Sequence, residues 1–268
     1  MTTKSHTDIP HLTPKSLVGR RFAPDTFKGI TVALVGFCPR PSRLDCYHPQ
    51  PTVDQYFIHV TPASVEVCAY GGMRFLSISH VYGGPVASAL IEELAYFGIK
   101  YLLAYGLAGG LGTKQLQMGD FYLVKTALAM DGTTPHYTDD KLIQSDADLN
   151  AKIGEFAESA AGIKMTPVQA STSDAIYREY DRDLEYAKNQ GCDIVNCDSS
   201  HLFAVSKAVG IKSTQCGVIS DVAMGEGEDW ESELSAMLTP GENAQDPIAL
   251  VGQIVKFYVE DLIGKLDQ

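Results

Sequence analysis

The chain has 268 residues, 45% hydrophobic and 20% charged, the profile of an ordinary globular protein with one full core. Its net charge of −12, from 21 basic and 33 acidic residues, argues against a general nucleic-acid or acidic-membrane binder, which needs basic surface. It does not forbid a basic pocket for a small anion. The six cysteines (Cys38, Cys46, Cys68, Cys192, Cys197 and Cys216) are scattered without C-x-x-C spacing. Reduced thiols filling the core are therefore expected, rather than a disulfide framework or a zinc site. The first residues are polar, and no apolar run approaches the roughly 20 residues of a membrane helix, so a cytoplasmic protein is expected.

Strand-like runs alternate with helical patterns along the chain. Residues 29–37 (GITVALVGF) form a β-branched apolar strand that stops at the turn 38–41 (CPRP). Runs 65–70 and 73–80 predict a hairpin across Gly71-Gly72. Pro85 opens a helix over 86–97 that Gly98 stops, and strand 100–105 follows, giving a βαβ-like unit. That strand runs into a glycine-rich turn at Gly106, Gly109 and Gly110, where backbone N–H groups can approach a ligand. Strands are then predicted at 121–130, 165–171, 194–197 and 213–219, with helices at 147–160, 181–190, 199–209 and 247–263. The acidic stretch 224–243 reads as a loop with a short helix over 230–238. The alternation predicts a central, largely parallel or mixed sheet with helices on both faces.

Two carboxyls stand out. Asp221 follows the apolar strand and Ser220, at the carboxyl end of a strand, where α/β sheets place ligand groups. Its alternative role is to cap a loop or helix. Asp198 precedes the helix that starts at Ser199, so it is either an N-cap, a ligand contact, or both.

Four segments, in order, carry a resemblance: GGPVASALIEEL (83–94), YLLAYGLAGGL (101–111), VNCDSSHLFAV (195–205) and VISDVA (218–223). Together they resemble the purine nucleoside and uridine phosphorylase family, whose members cleave N-glycosidic bonds. The resemblance implies a single α/β domain over 29–268, with a twisted mixed sheet, partly closed like a barrel, flanked by helices. Residues 1–28 would form an N-terminal segment that contacts a second subunit.

The same resemblance assigns roles. Asp221, paired with Ser220, would protonate a purine as it leaves, and the string 219–223 looks most like the methylthioadenosine/adenosylhomocysteine nucleosidase branch. Asp198 stands where the family grips the ribose hydroxyls with Glu, while Asn196 and Cys197 replace an acid and a Met. Tyr82 falls near the sugar, and Ile176 and Tyr177 beside the base. His11 would reach a neighbour's ribose, so a homo-oligomer, a dimer or larger, is expected. Gly36, Arg40 and Gly106 match anion-binding positions. Ala104 and Leu107, however, stand where the family has an Arg and a Ser or Thr, and Ala cannot replace a guanidinium clamp. The nucleosidase branch's water-activating Glu has no match between Gly36 and Leu44.

The expectation is an enzyme without cofactor or metal that cleaves or transfers at the N-glycosidic bond of a purine-like nucleoside. Hydrolysis or transfer is favoured over phosphorolysis. The alternative is a repurposed member that transforms a non-nucleoside small molecule, or a noncatalytic binding or storage protein.

Overall fold

In the computed structural model, the described residues are 10–222, 246–266 and, for backbone only, 231–232. A short helix α1 (Pro14–Leu17), capped by Thr13, leads into strand β1 (Val32–Gly36). Strands β2 (Gln50–Pro51), β3 (Val65–Tyr70) and β4 (Met73–Ile78) follow, with β3 and β4 paired antiparallel as the expected hairpin. Helix α2 (Gly84–Tyr96) has Pro85 in its first turn. Strand β5 (Tyr101–Gly110) leads on to β6 (Phe121–Ala129) and β7 (Leu142–Gln144).

Helix α3 (Ala147–Ala161) is capped by Asp146, whose side chain accepts from the Leu149 N–H, and closes on Gly162 in the left-handed conformation. Strand β8 (Met165–Thr172), helix α4 (Asp181–Asn189), strand β9 (Ile194–Asn196), helix α5 (Ser199–Val209) and strand β10 (Lys212–Val222) complete the central region. A two-residue strand β11 (Glu231–Ser232) pairs antiparallel with the end of β10. Helix α6 (Pro247–Phe257) starts at the Asp246 cap and runs into a π-turn at Tyr258–Leu262. No described helix is long and apolar enough to cross a membrane.

The sheet order is β11-β10-β6-β8-β9-β5-β1-β4-β3-β2, with β7 on β6. A further pairing of β10 with β5 closes β5, β10, β6, β8 and β9 into a ring, so the sheet is barrel-like at one end and open at the other. Two large cores cover its two faces. Leu90, Ile91 and Leu94 of α2 and Leu202, Phe203 and Val205 of α5 pack into one. Leu149 and Ile153 of α3 and Val251, Ile254 and Val255 of α6 pack into the other. Val18 and Phe27 join the first core, so residues 18–28 already belong to the packed body.

Three expectations change. The glycines at 106–110 are strand, not turn: β5 runs through all of them, with β10 on one side and β9 on the other. Strand pairing on both edges overrides the local tendency of glycine to turn the chain. Strand β10 likewise continues past Ile219 to Val222, so Asp221 lies within a strand and caps neither loop nor helix. Of the short helix expected over 230–238, Glu231 and Ser232 are strand, and the remainder lies outside the described residues.

Candidate active site

The carboxyl ends of β1, β8, β9 and β10 and the second half of β5 converge on one cavity of about 400 Å³. Its apolar walls come from Phe37, Leu107, Ile176 and Val195, and Tyr82 and Gly83 stand before α2. Four carboxyl side chains face it: Asp174, Glu179, Asp198 and Asp221. No Lys, Arg or His lines it among the described residues.

A β-bulge positions Asp221. On β5, Ala108 and Gly109 are consecutive; on β10 their partners are Ile219 and Asp221, leaving Ser220 as the extra residue. A bulge of this kind re-aims the side chain beside it. Ser220 Oγ donates to Asp221 Oδ1 at 2.7 Å. Gly109 makes room for the other oxygen: a Cβ there would lie 2.7 Å from Asp221 Oδ2 and 3.2 Å from Val195 Cγ1. Asp221 is only 6% exposed, and burial pushes its carboxyl above the ordinary range, against the opposing hydrogen bond from Ser220.

Asp198 sits at the N-cap position of α5, yet its side chain makes no capping bond. Asn196 caps instead: its Oδ1 accepts from the N–H groups of Asp198 and Ser199, both at 3.3 Å. Asn196 Nδ2 donates to Ser199 Oγ at 2.6 Å, and Ser199 Oγ donates to Gln215 Oε1 at 2.7 Å. Gln215 Nε2 then donates to Asp198 Oδ2 at 3.2 Å. This chain leaves the Asp198 carboxyl turned to the cavity while Asn196 is occupied with the backbone. Burial pushes Asp198 up to about 7, with His201 nearby and the Gln215 bond pulling the other way. His201 is fully buried one turn along α5, with Nδ1 3.7 Å from Asp131 Oδ1 and its ring edge-on to Phe37. Cys197 also lines the cavity; burial raises its thiol to about 12, so it stays protonated and serves as wall.

A family model described as the phosphorylase superfamily matches residues 31–256. The chain belongs to that superfamily. An uncharacterized protein, R802, of Acanthamoeba polyphaga mimivirus is 31% identical over 230 residues, 85% of this chain and 89% of that one. The 5′-methylthioadenosine/S-adenosyl homocysteine nucleosidase of Campylobacter jejuni superposes with a TM-score of 0.65 at 18% identity, over 89% of this chain and 100% of that one. Purine nucleoside phosphorylase from Toxoplasma gondii gives 0.62 at 20% identity, over 84% and 88%. At these identities the two superpositions establish the fold.

Of the residues expected at the anion site, Arg40 is paired with carboxylates outside the cavity, and Gly36 and Gly106 do not line it. Arg40 Nε donates to Glu66 at 2.8 Å, its Nη2 pairs with Asp45 at 2.9 Å, and the residue does not line the cavity. The Tyr105 ring fills the space over Gly36, 2.6 Å from where a Cβ would lie. A Cβ on Gly106 would lie 3.4 Å from Asp198 Oδ2, and Ala104 is buried in the core.

The remaining expected residues separate. Ser220, Tyr82 and Ile176 line the cavity, and burial raises the Tyr82 phenol to about 12. Tyr177 is 93% exposed and turns away, because it occupies the next position of the 3₁₀ turn Ile176–Arg178. His11 is exposed and does not line its own chain's cavity. Sequence reasoning missed Phe37, Asp174, Glu179 and Gln215 as site residues. The only signal for Glu179 is its nearness in sequence to Ile176 and Tyr177, the residues expected beside the base.

Proposed function

We propose that this chain hydrolyses the N-glycosidic bond of a purine-like nucleoside. The observation that carries the reading is the pair of buried carboxyls, Asp221 and Asp198, in a cavity that no cationic side chain lines among the described residues. Burial favours the neutral, proton-bearing form of a carboxyl, which is the direction a general acid requires. Asp221, which lines the cavity with Oδ1 on the Ser220 hydroxyl and Oδ2 beside Gly109, protonates the departing base. The electron pair of the C–N bond leaves with that base, the oxygen of water bonds to C1′, and the proton lost by water passes to solvent. Asp198, oriented by Gln215, accepts from the sugar hydroxyls. Phosphate is disfavoured as nucleophile because Arg40 is already neutralised by Glu66 and Asp45, and Leu107 supplies no hydroxyl.

Chromatography of base released from a purine nucleoside panel in phosphate-free buffer tests this. The wild type should release base, and Asp221→Asn should be slower by about 10²–10⁴-fold, the usual contribution of a general acid. Unchanged release by the variant would remove Asp221 from the chemistry, and no release by the wild type would reject the reading. The active unit is proposed to be a homo-oligomer in which the exposed His11 reaches a partner subunit. Light scattering should then give at least twice the 29.0 kDa chain mass.

A further inference from the structure

Asp198 lines the cavity, but its two carboxyl oxygens are not equivalent. Oδ2 takes the Gln215 bond, and a Cβ on Gly106 would lie 3.4 Å from Oδ2 and 3.5 Å from Gln215 Nε2. Gln215 is fully buried, and neither it nor Gly106 lines the cavity, so Oδ2 is turned into the wall. Oδ1 has no hydrogen-bond partner among the described residues and is not one of their sealed, unpaired polar atoms, so it is open to the cavity. The backbone fixes this polarity. Asn196 Oδ1 accepts the N–H groups of Asp198 and Ser199, and a flipped amide would set its NH₂ against two donors. Asn196 Nδ2 therefore faces Ser199 Oγ, whose one hydrogen is left for Gln215 Oε1. That bond in turn leaves Gln215 Nε2, a donor only, for Asp198. Such a donor suits Oδ2 in both states of the carboxyl: the ionised form accepts there, and the neutral form accepts there with its proton on Oδ1.

We propose that Gln215 is a specificity-determining residue: by holding Oδ2 it limits Asp198 to one sugar hydroxyl, met by Oδ1. A carboxylate with both oxygens free can accept from two neighbouring hydroxyls at once. Asp198 has one oxygen for the sugar, which accepts from that hydroxyl when ionised and donates to it when neutral. The count of one does not depend on the protonation state. The inference rests on the nucleoside reading proposed above and narrows its substrate class. A nucleoside that lacks the hydroxyl Asp198 does not touch, a 2′-deoxy or a 3′-deoxy sugar, is a substrate as good as the ribonucleoside.

Titration calorimetry on the full chain with adenosine, 2′-deoxyadenosine and 3′-deoxyadenosine, repeated on Asp198→Ala, tests the count of hydroxyls. One deoxy analogue should bind the wild type about ten-fold more weakly than adenosine, the effect of one lost hydrogen bond. In Asp198→Ala that difference should vanish, while the ratio of the other analogue to adenosine stays as it was. Coupling of Asp198 to both hydroxyls, or to neither, would overturn the proposal. Gln215→Leu removes the donor that aims the carboxyl. It should weaken adenosine and the tolerated analogue but leave the sensitive analogue little changed, with circular dichroism confirming the fold. Equal weakening of all three would reduce Gln215 to a structural role and overturn its assignment. Should that buried variant not fold, the Asp198→Ala comparison decides alone. If adenosine is bound and cleaved but Asp198 couples to both hydroxyls, only this inference fails. If no nucleoside binds, the nucleoside reading fails with it.

Discussion

At the scale of single residues, the site is defined by carboxyls that burial keeps from ionising readily. Asp198, Asp221 and Glu179 all stand above their ordinary values, with burial the largest cause in each. An acid raised in the folded state contributes stability that is present below its unfolded pKa, near 4, and lost as pH rises through the folded value, about 7 for Asp198. The ligand-free protein is therefore predicted to lose thermal stability between about pH 4 and about pH 7. Asp198→Asn should flatten that slope, and a pH series of melting curves would show it; an unchanged slope would mean Asp198 is ionised in the fold. Asp131 has the opposite sign. Burial opposes its charge, but His201, the Ser200 hydroxyl and the Thr134 N–H hold it below the ordinary carboxylate range. Its contribution is present above its unfolded value near 4 and is lost as pH falls from there toward the lowered folded value.

Asp221 and Asp198 were legible in the sequence because each sits in a short string with a family counterpart. The difference between Ile176, which lines the cavity, and Tyr177, which does not, was not legible. It depends on the phase of a single 3₁₀ turn, which no periodicity in the sequence records.

At the scale of elements, the apolar runs marked the strands closely, and the cap and stop residues marked the helices. Helix α5 occupies the 199–209 expected of it, because Gly210 stops it in the left-handed conformation. The glycine run at 106–110 was misread for a physical reason. Glycine locally favours a turn, but here its lack of a side chain is used within a strand, where β9 and the Asp221 carboxyl approach. Gly109→Ala tests that use. The added methyl would meet Asp221 Oδ2 at 2.7 Å, and overpacking of this kind costs typically 1–3 kcal/mol. Base release should fall by about 10²-fold through displacement of Asp221, with the circular dichroism spectrum retained. A variant as active as the wild type would place the functional position of Asp221 elsewhere.

At the scale of the whole molecule, the alternation of strands and helices predicted a mixed sheet with covered faces, and the closed ring came from the resemblance. Composition and periodicity carry no sign of the β10–β5 pairing that closes it, because that pairing joins residues about a hundred positions apart. Nor could they show that Arg40, in the position expected to bind an anion, is held by Glu66 and Asp45. The cavity that results is acidic within an acidic chain, and on this ground water rather than phosphate is the proposed nucleophile. The most direct test of this proposal is the identity of the sugar product when a purine nucleoside is incubated with the protein and excess phosphate. Mass spectrometry should find free pentose, formed at the same rate with and without phosphate. Pentose 1-phosphate, formed only when phosphate is present, would contradict the account and show that the anion site is assembled despite the pairing of Arg40.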